Sequence, residues 1–93
     1  MPLRPTHGAR LELTLETGGE VARYGIEAQT PTASYLATAD LDREGVRIEW
    51  REPPPSWIAE TALGLLRTLR KNHLEDRRWP SRLNRWREER PSP

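Results

Sequence analysis

Three consecutive prolines, Pro53-Pro54-Pro55, divide the chain into two regions of different periodicity. Proline has a fixed φ and no amide hydrogen, so neither a central strand nor a helix interior runs through such a triplet. Before it apolar residues recur at every second position, and after it at every third or fourth. Ile58, Ala62, Leu65, Leu66, Leu69 and His73 fall on one stripe when laid out at about 100° per residue. Glu60, Arg67, Lys71 and Asn72 point elsewhere. The spacing predicts a helix over about 57–74, lying on a core with its back in water. Ser56 stands where an N-cap is expected, its hydroxyl accepting an orphan N–H of the first turn. Arg67, Arg70 and Lys71 sit toward the other end, where positive charge complements the helix dipole.

The region before the prolines reads as a run of antiparallel strands. Leu11, Leu13 and Leu15 alternate with Arg10, Glu12, Thr14 and Glu16, the period of a half-buried strand. Thr17-Gly18-Gly19-Glu20 follows, and the glycine pair supplies the positive φ angles of a tight hairpin turn. Ala22, Tyr24, Ile26 and Ala28 then alternate with Arg23, Gly25 and Glu27. Pro31 interrupts the pattern, because it cannot donate to a ladder. The third run has Tyr35, Ala37, Ala39 and Leu41 on one side and Ser34, Leu36, Thr38 and Asp40 on the other, a blurred alternation expected of a strand partly covered on both faces. Asp42-Arg43-Glu44-Gly45 has the residues of a type I turn, and Val46, Ile48 and Trp50 alternate with Arg47, Glu49 and Arg51 in a fourth strand. Strands are therefore expected at about 10–16, 21–28, 33–41 and 46–51.

Beyond the main helix, Trp79-Pro80 ends any continuous helix, since the residue before proline is pushed out of the α region. Pro80 suits the first position of a new one, and Trp79, Leu83 and Trp86 recur at four and three. A second, short helix is expected over about 80–89. The fold class expected is α+β: a four-stranded antiparallel meander followed by one main amphipathic helix packed on a sheet face and a short basic C-terminal helix, ββββαα. Residues 1–9 read as a loose leader, 10–90 as a single domain and 91–93 as a tail.

Composition narrows the function. At 93 residues there is material for one core. The absence of cysteine removes disulfides, thiolate metal sites and cysteine nucleophiles. No apolar run approaches the roughly 18 residues of a membrane span, and Met1-Pro2-Leu3-Arg4-Pro5 lacks the apolar stretch of a signal peptide. A cytoplasmic protein with no membrane role is expected. Gly18-Gly19 belongs to a hairpin and not to a phosphate loop between strand and helix. His73, followed by Glu75 and Asp76, offers donor atoms without a ligand geometry, and Ser34, Ser56 and Ser81 have no evident base. No enzyme activity, metal or cofactor is expected.

The net charge of +1 hides an asymmetry. Residues 1–60 hold six Arg against ten acids, and residues 61–93 hold nine Arg or Lys against four. The basic share concentrates in Arg67, Arg70, Lys71, Arg77, Arg78, Arg82, Arg85 and Arg87, with Trp79 and Trp86 among them. Arginine pairs with phosphate and tryptophan stacks on unpaired bases, the combination that sequence-tolerant single-strand binding uses. These ten residues are the candidate binding site, with single-stranded nucleic acid or another polyanion as partner. Two other readings compete. Trp79, Leu83 and Trp86 dock on the core with Arg as a solvated rim, or they anchor a partner subunit, since Trp and Arg are common interface residues. The second functional class is thus a self-associating adaptor or assembly subunit with no nucleic-acid role.

Four antiparallel strands followed by a helix resemble the plan of the Whirly and PUR single-strand nucleic-acid binders. That resemblance of element order implies a dimer or higher oligomer, with the helix in the assembly and the sheet facing the strand. The polar face of the sheet here mixes Glu12, Glu16, Glu27 and Glu49 with Arg10, Arg23, Arg47 and Arg51, which leaves the C-terminal segment as the better nucleic-acid contact.

Overall fold

A computed structural model describes residues 7–19, 21–76 and 78–88. The alternating segments form strands β1 (Ala9–Thr17), β2 (Ala22–Gln29), β3 (Ser34–Leu41) and β4 (Val46–Trp50), followed by helix α1 (Ser56–Asp76) and a fifth strand, β5 (Arg82–Arg87). All neighbours are antiparallel, in the order β4-β3-β2-β1-β5. The architecture is α+β, a five-stranded sheet with one helix.

The C-terminal segment corrects the sequence reading: the short helix expected over 80–89 is β5, paired along β1. Its physical reason is the free edge of β1. Leu83 stands opposite Leu13, where it adds to the core row, and the Leu15 amide donates to the Ser81 carbonyl at 2.9 Å. A helix here would carry only Leu83 and Trp86 as apolar contacts, whereas a strand satisfies a whole row of backbone groups on β1. Pro80 lies two residues before the first strand residue, outside the ladder, where its missing N–H costs nothing. The far end of β5 requires Gly8, which has φ +70° and where any Cβ would collide with the Arg87 carbonyl oxygen.

Turn chemistry closes the hairpins. Asp42 Oδ1 accepts from the amides of Glu44 and Gly45 at 2.8 and 3.1 Å, and Gly45 has φ +148°. In β1 the register shifts between Leu15 and Thr17. Glu16 at that bulge leans over Gly25, 3.1 Å from where a Cβ would stand.

One face of the sheet carries the core. Register aligns Leu83, Leu13, Ile26, Ala37 and Trp50 in one row, and Leu15, Tyr24, Ala39 and Ile48 in the next. The alanines Ala22, Ala28, Ala37 and Ala39 keep the floor low, so α1 can settle close. Ile58, Ala62, Leu66 and Leu69 of its stripe are buried, while Leu65 and His73 at the rim are half-buried. Each fully buried aliphatic side chain contributes about 1.5–3 kcal/mol.

The entry to α1 also differs from expectation. The Pro55 carbonyl accepts from the amides of Ile58 and Ala59, so Pro55 occupies the capping position and Ser56 opens the helix. Among the described residues nothing covers the outer face of the sheet. Leu36, expected to be partly covered, is 40% exposed there, because α1 is the only layer packed on the sheet among the described residues.

Candidate functional site

Strand alternation decides where the C-terminal arginines and tryptophans point. Leu83 faces the core, so Arg85 and Arg87 share the helix side, while Arg82, Asn84 and Trp86 face outward. The segment is therefore divided between two surfaces, and the interleaved Arg/Trp strip expected from the sequence is not assembled on either.

Trp79 is built into the fold. Its ring stacks on His73 with centroids 3.8 Å apart and planes at 10°, meets the edge of Tyr24, and its Nε1–H donates to the Gly19 carbonyl at 2.9 Å. The Tyr24 hydroxyl donates to the neighbouring Pro80 carbonyl at 2.7 Å. These contacts tie the last turn of α1, the β1–β2 turn and the start of β5 together. Trp86 lies on the other surface, 43% exposed, with its Nε1–H donating to the His7 carbonyl and its ring against the His7 edge.

The outward face does not suit an anion. Three carboxylates, Glu12, Glu16 and Glu27, against one guanidinium, Arg51, line a depression of about 280 Å³ over Gly25. Arg82 pairs with Glu12 at 3.6 Å, and Arg23 pairs with Asp40 at 2.8 Å. The Arg23 guanidinium holds the Asp40 carboxyl below its ordinary range by hydrogen bonding, opposed by a smaller desolvation effect.

On the helix side the balance is basic. Arg67 and Lys71 stand one turn apart on the exposed back of α1, Arg78 lies exposed in the connection to β5, and Arg85 and Arg87 follow along the strand. Among the described residues none of these five has a carboxylate within 4.0 Å. Arg85 and Arg87 donate to the carbonyls of Asn84 and Trp86. Arg70 is committed elsewhere: its Nε and Nη2 donate to the Asp42 and Arg43 carbonyls at 2.6 and 2.5 Å, fastening α1 to the β3–β4 turn. Arg77 lies outside the described residues.

His73 Nδ1 is buried with no hydrogen-bond partner among the described residues. Among the described residues no group of three or more His, Asp or Glu forms a metal-binding arrangement, and no helix is long and apolar enough to cross a membrane. Sequence reasoning missed one concavity, a cleft of about 420 Å³ at the N-terminal end of α1 between Tyr35, Trp57 and Pro55. Its signal was Trp57, which lies off the main helical stripe.

Fold and surface together define a small α+β module in which, among the described residues, one sheet face is covered by α1, the other is open, and unpaired basic side chains outnumber acidic ones on the helix side. No family model, curated protein or solved structure matches the chain.

Proposed function

We propose that the protein is a non-catalytic binding module that contacts the phosphates of a nucleic acid through the basic flank formed by α1 and β5. The observation that carries this reading is that Arg67, Lys71, Arg78, Arg85 and Arg87, spread along the helix side of the molecule, have no carboxylate partner among the described residues. A cation already paired gains little from a phosphate, whereas an unpaired one releases the phosphate's counterion at full effect. Base stacking is not part of the mechanism, because the Trp79 face is occupied by His73 and Trp86 lies on the other surface. The contact is electrostatic and tolerant of sequence.

Fluorescence anisotropy with a labelled single-stranded oligonucleotide between about 50 and 200 mM salt tests this. Five phosphate contacts give a slope of log affinity against log salt near −3.5, at roughly −0.7 per contact on a single strand. The double variant Arg85→Gln/Arg87→Gln is expected to make the slope shallower by about 1.4. Absence of binding at 50 mM salt, or a slope that the double variant leaves unchanged, overturns the reading.

A further inference from the structure

The two edges of the sheet differ in a way that the basic flank does not explain. At the two ends of the β3–β4 ladder the Arg51 amide donates to the Leu36 carbonyl and the Asp42 amide to the Gly45 carbonyl. With the register Ala37↔Trp50 to Leu41↔Val46, the odd-numbered residues of β4 therefore bond to β3. Val46, Ile48 and Trp50 turn their N–H and C=O groups away from the sheet, with no partner among the described residues. Their side chains lie on the helix side, half-buried, while Arg47 and Glu49 are exposed on the open face. An exposed apolar edge without proline, bulge or lysine is a template for pairing.

The sequence of this edge, Val46-Arg47-Ile48-Glu49-Trp50, is self-complementary in antiparallel register. A twofold axis perpendicular to the sheet through Ile48 sets Ile48 opposite its own copy and Val46 opposite Trp50, both as hydrogen-bonded pairs using the outward backbone groups. It sets Arg47 opposite Glu49, twice, at the non-hydrogen-bonded positions, where side chains approach most closely. Opposite charges at such positions attract and like charges repel.

We propose that β4 is the contact edge of a homodimer, in which two copies join through this register into one continuous ten-stranded sheet. The twofold axis keeps both α1 helices on one face. The bonds from Arg70 to the β3–β4 turn place the α1 flank of Leu66, Leu63 and Ala59, which follows Arg70 back at helical spacing, on the side of this edge. Ala59 and Leu63 are half-buried there, and Leu63 has no place in the core cluster. Apart from Arg70, whose guanidinium is held by the β3–β4 turn, this flank of the helix is apolar, and a second copy's helix on the same face supplies apolar surface to cover it. β5 does not offer the same contact: Arg82, Arg85 and Arg87 from each copy would meet with no carboxylate in the strand to answer them. The partner is thus a second copy of this chain, and the dimer does not depend on nucleic-acid binding.

Sedimentation equilibrium on the full chain, across micromolar to sub-millimolar concentrations, is expected to reach twice the 10.8 kDa chain mass. Arg47→Glu and Glu49→Arg each place like charges across the axis and should weaken the dimer at least tenfold. Mixed one to one, the two variants pair opposite charges at both positions and should associate as tightly as the parent, within about threefold. A monomeric parent at the highest concentration, or single variants that dimerise like the parent, overturns the proposal. Hydrogen exchange on the parent gives a test independent of any variant's folding: the Val46, Ile48 and Trp50 amides should slow as the mass doubles. Exchange at these amides that ignores concentration while the mass doubles places the interface elsewhere and also overturns it.

Discussion

Tyr24 is the residue through which the sheet, the β1–β2 turn and the C-terminal strand meet. Its ring is fully buried and its hydroxyl reaches the Pro80 carbonyl, so a central β2 side chain holds the start of an edge strand two positions away in the sheet. Burial raises its pKa above the ordinary 10.0. The sign follows from linkage: as pH rises past about 10, the unfolded chain gives up the phenolic proton while the folded chain keeps it, so folding stability falls until the folded group also ionises. Below pH 10 the contribution is fully present. Tyr24→Phe is expected to cost about 1 kcal/mol near neutral pH for the lost hydrogen bond. It should also lose stability less steeply between pH 10 and 11, and melting temperatures of parent and variant from pH 8 to 11 check both effects. Parallel alkaline curves would mean that the folded hydroxyl is as free to ionise as the unfolded one.

At the scale of elements, β1 to β4 and α1 were legible because each carries its own periodicity and its own stop signal. The alternation of Leu11, Leu13 and Leu15, the Gly18-Gly19 and Asp42-Gly45 turns and the proline triplet are local features, and local features are what a sequence displays. β5 was not legible. Only Leu83 of its core-side residues is apolar, Arg85 and Arg87 occupy the next positions on that side, and Pro80 mimics a helix start. What makes it a strand is the unpaired edge of β1, some 70 residues away, together with the clamp of Trp79 on His73 and Gly19. The candidate site was half legible for the same reason. The basic residues were recognised as a group, but their division between two surfaces depends on strand alternation, which the helical reading hid. If β5 is structural, a chain ending after Asp76 loses the partner of β1, the Trp79 clamp and the Tyr24 acceptor at once. Its cooperative thermal transition is expected to disappear, as read by near-ultraviolet circular dichroism. A sharp transition within a few degrees of the full chain's would show that the four-stranded sheet and α1 suffice.

For the whole molecule, a single helix over a five-stranded sheet means that α1 is the only layer shielding the core among the described residues, and the two cannot be stable separately. Ile58, Ala62, Leu66 and Leu69 meet Leu11, Leu13, Tyr24, Ala39 and Leu41 in one cluster, with no second core among the described residues to hold the sheet when the helix leaves. The margin is narrow, since a chain of this size has roughly 5–10 kcal/mol of total stability. Leu66, fully buried, is the natural probe. Leu66→Ala should cost about 2–5 kcal/mol through lost transfer energy and a residual cavity, leaving a folded chain with a lower urea midpoint. Leu66→Asp brings an unpaired carboxylate into the same place, which the core can accept only by protonating it or by expelling the helix. That variant is expected to be unfolded at neutral pH, with α1 and the sheet signals lost together and not one before the other. Helical circular dichroism that vanishes while the amides of β1 to β3 stay protected would show that the sheet stands alone, held together by its ladder and by whatever covers its faces besides α1.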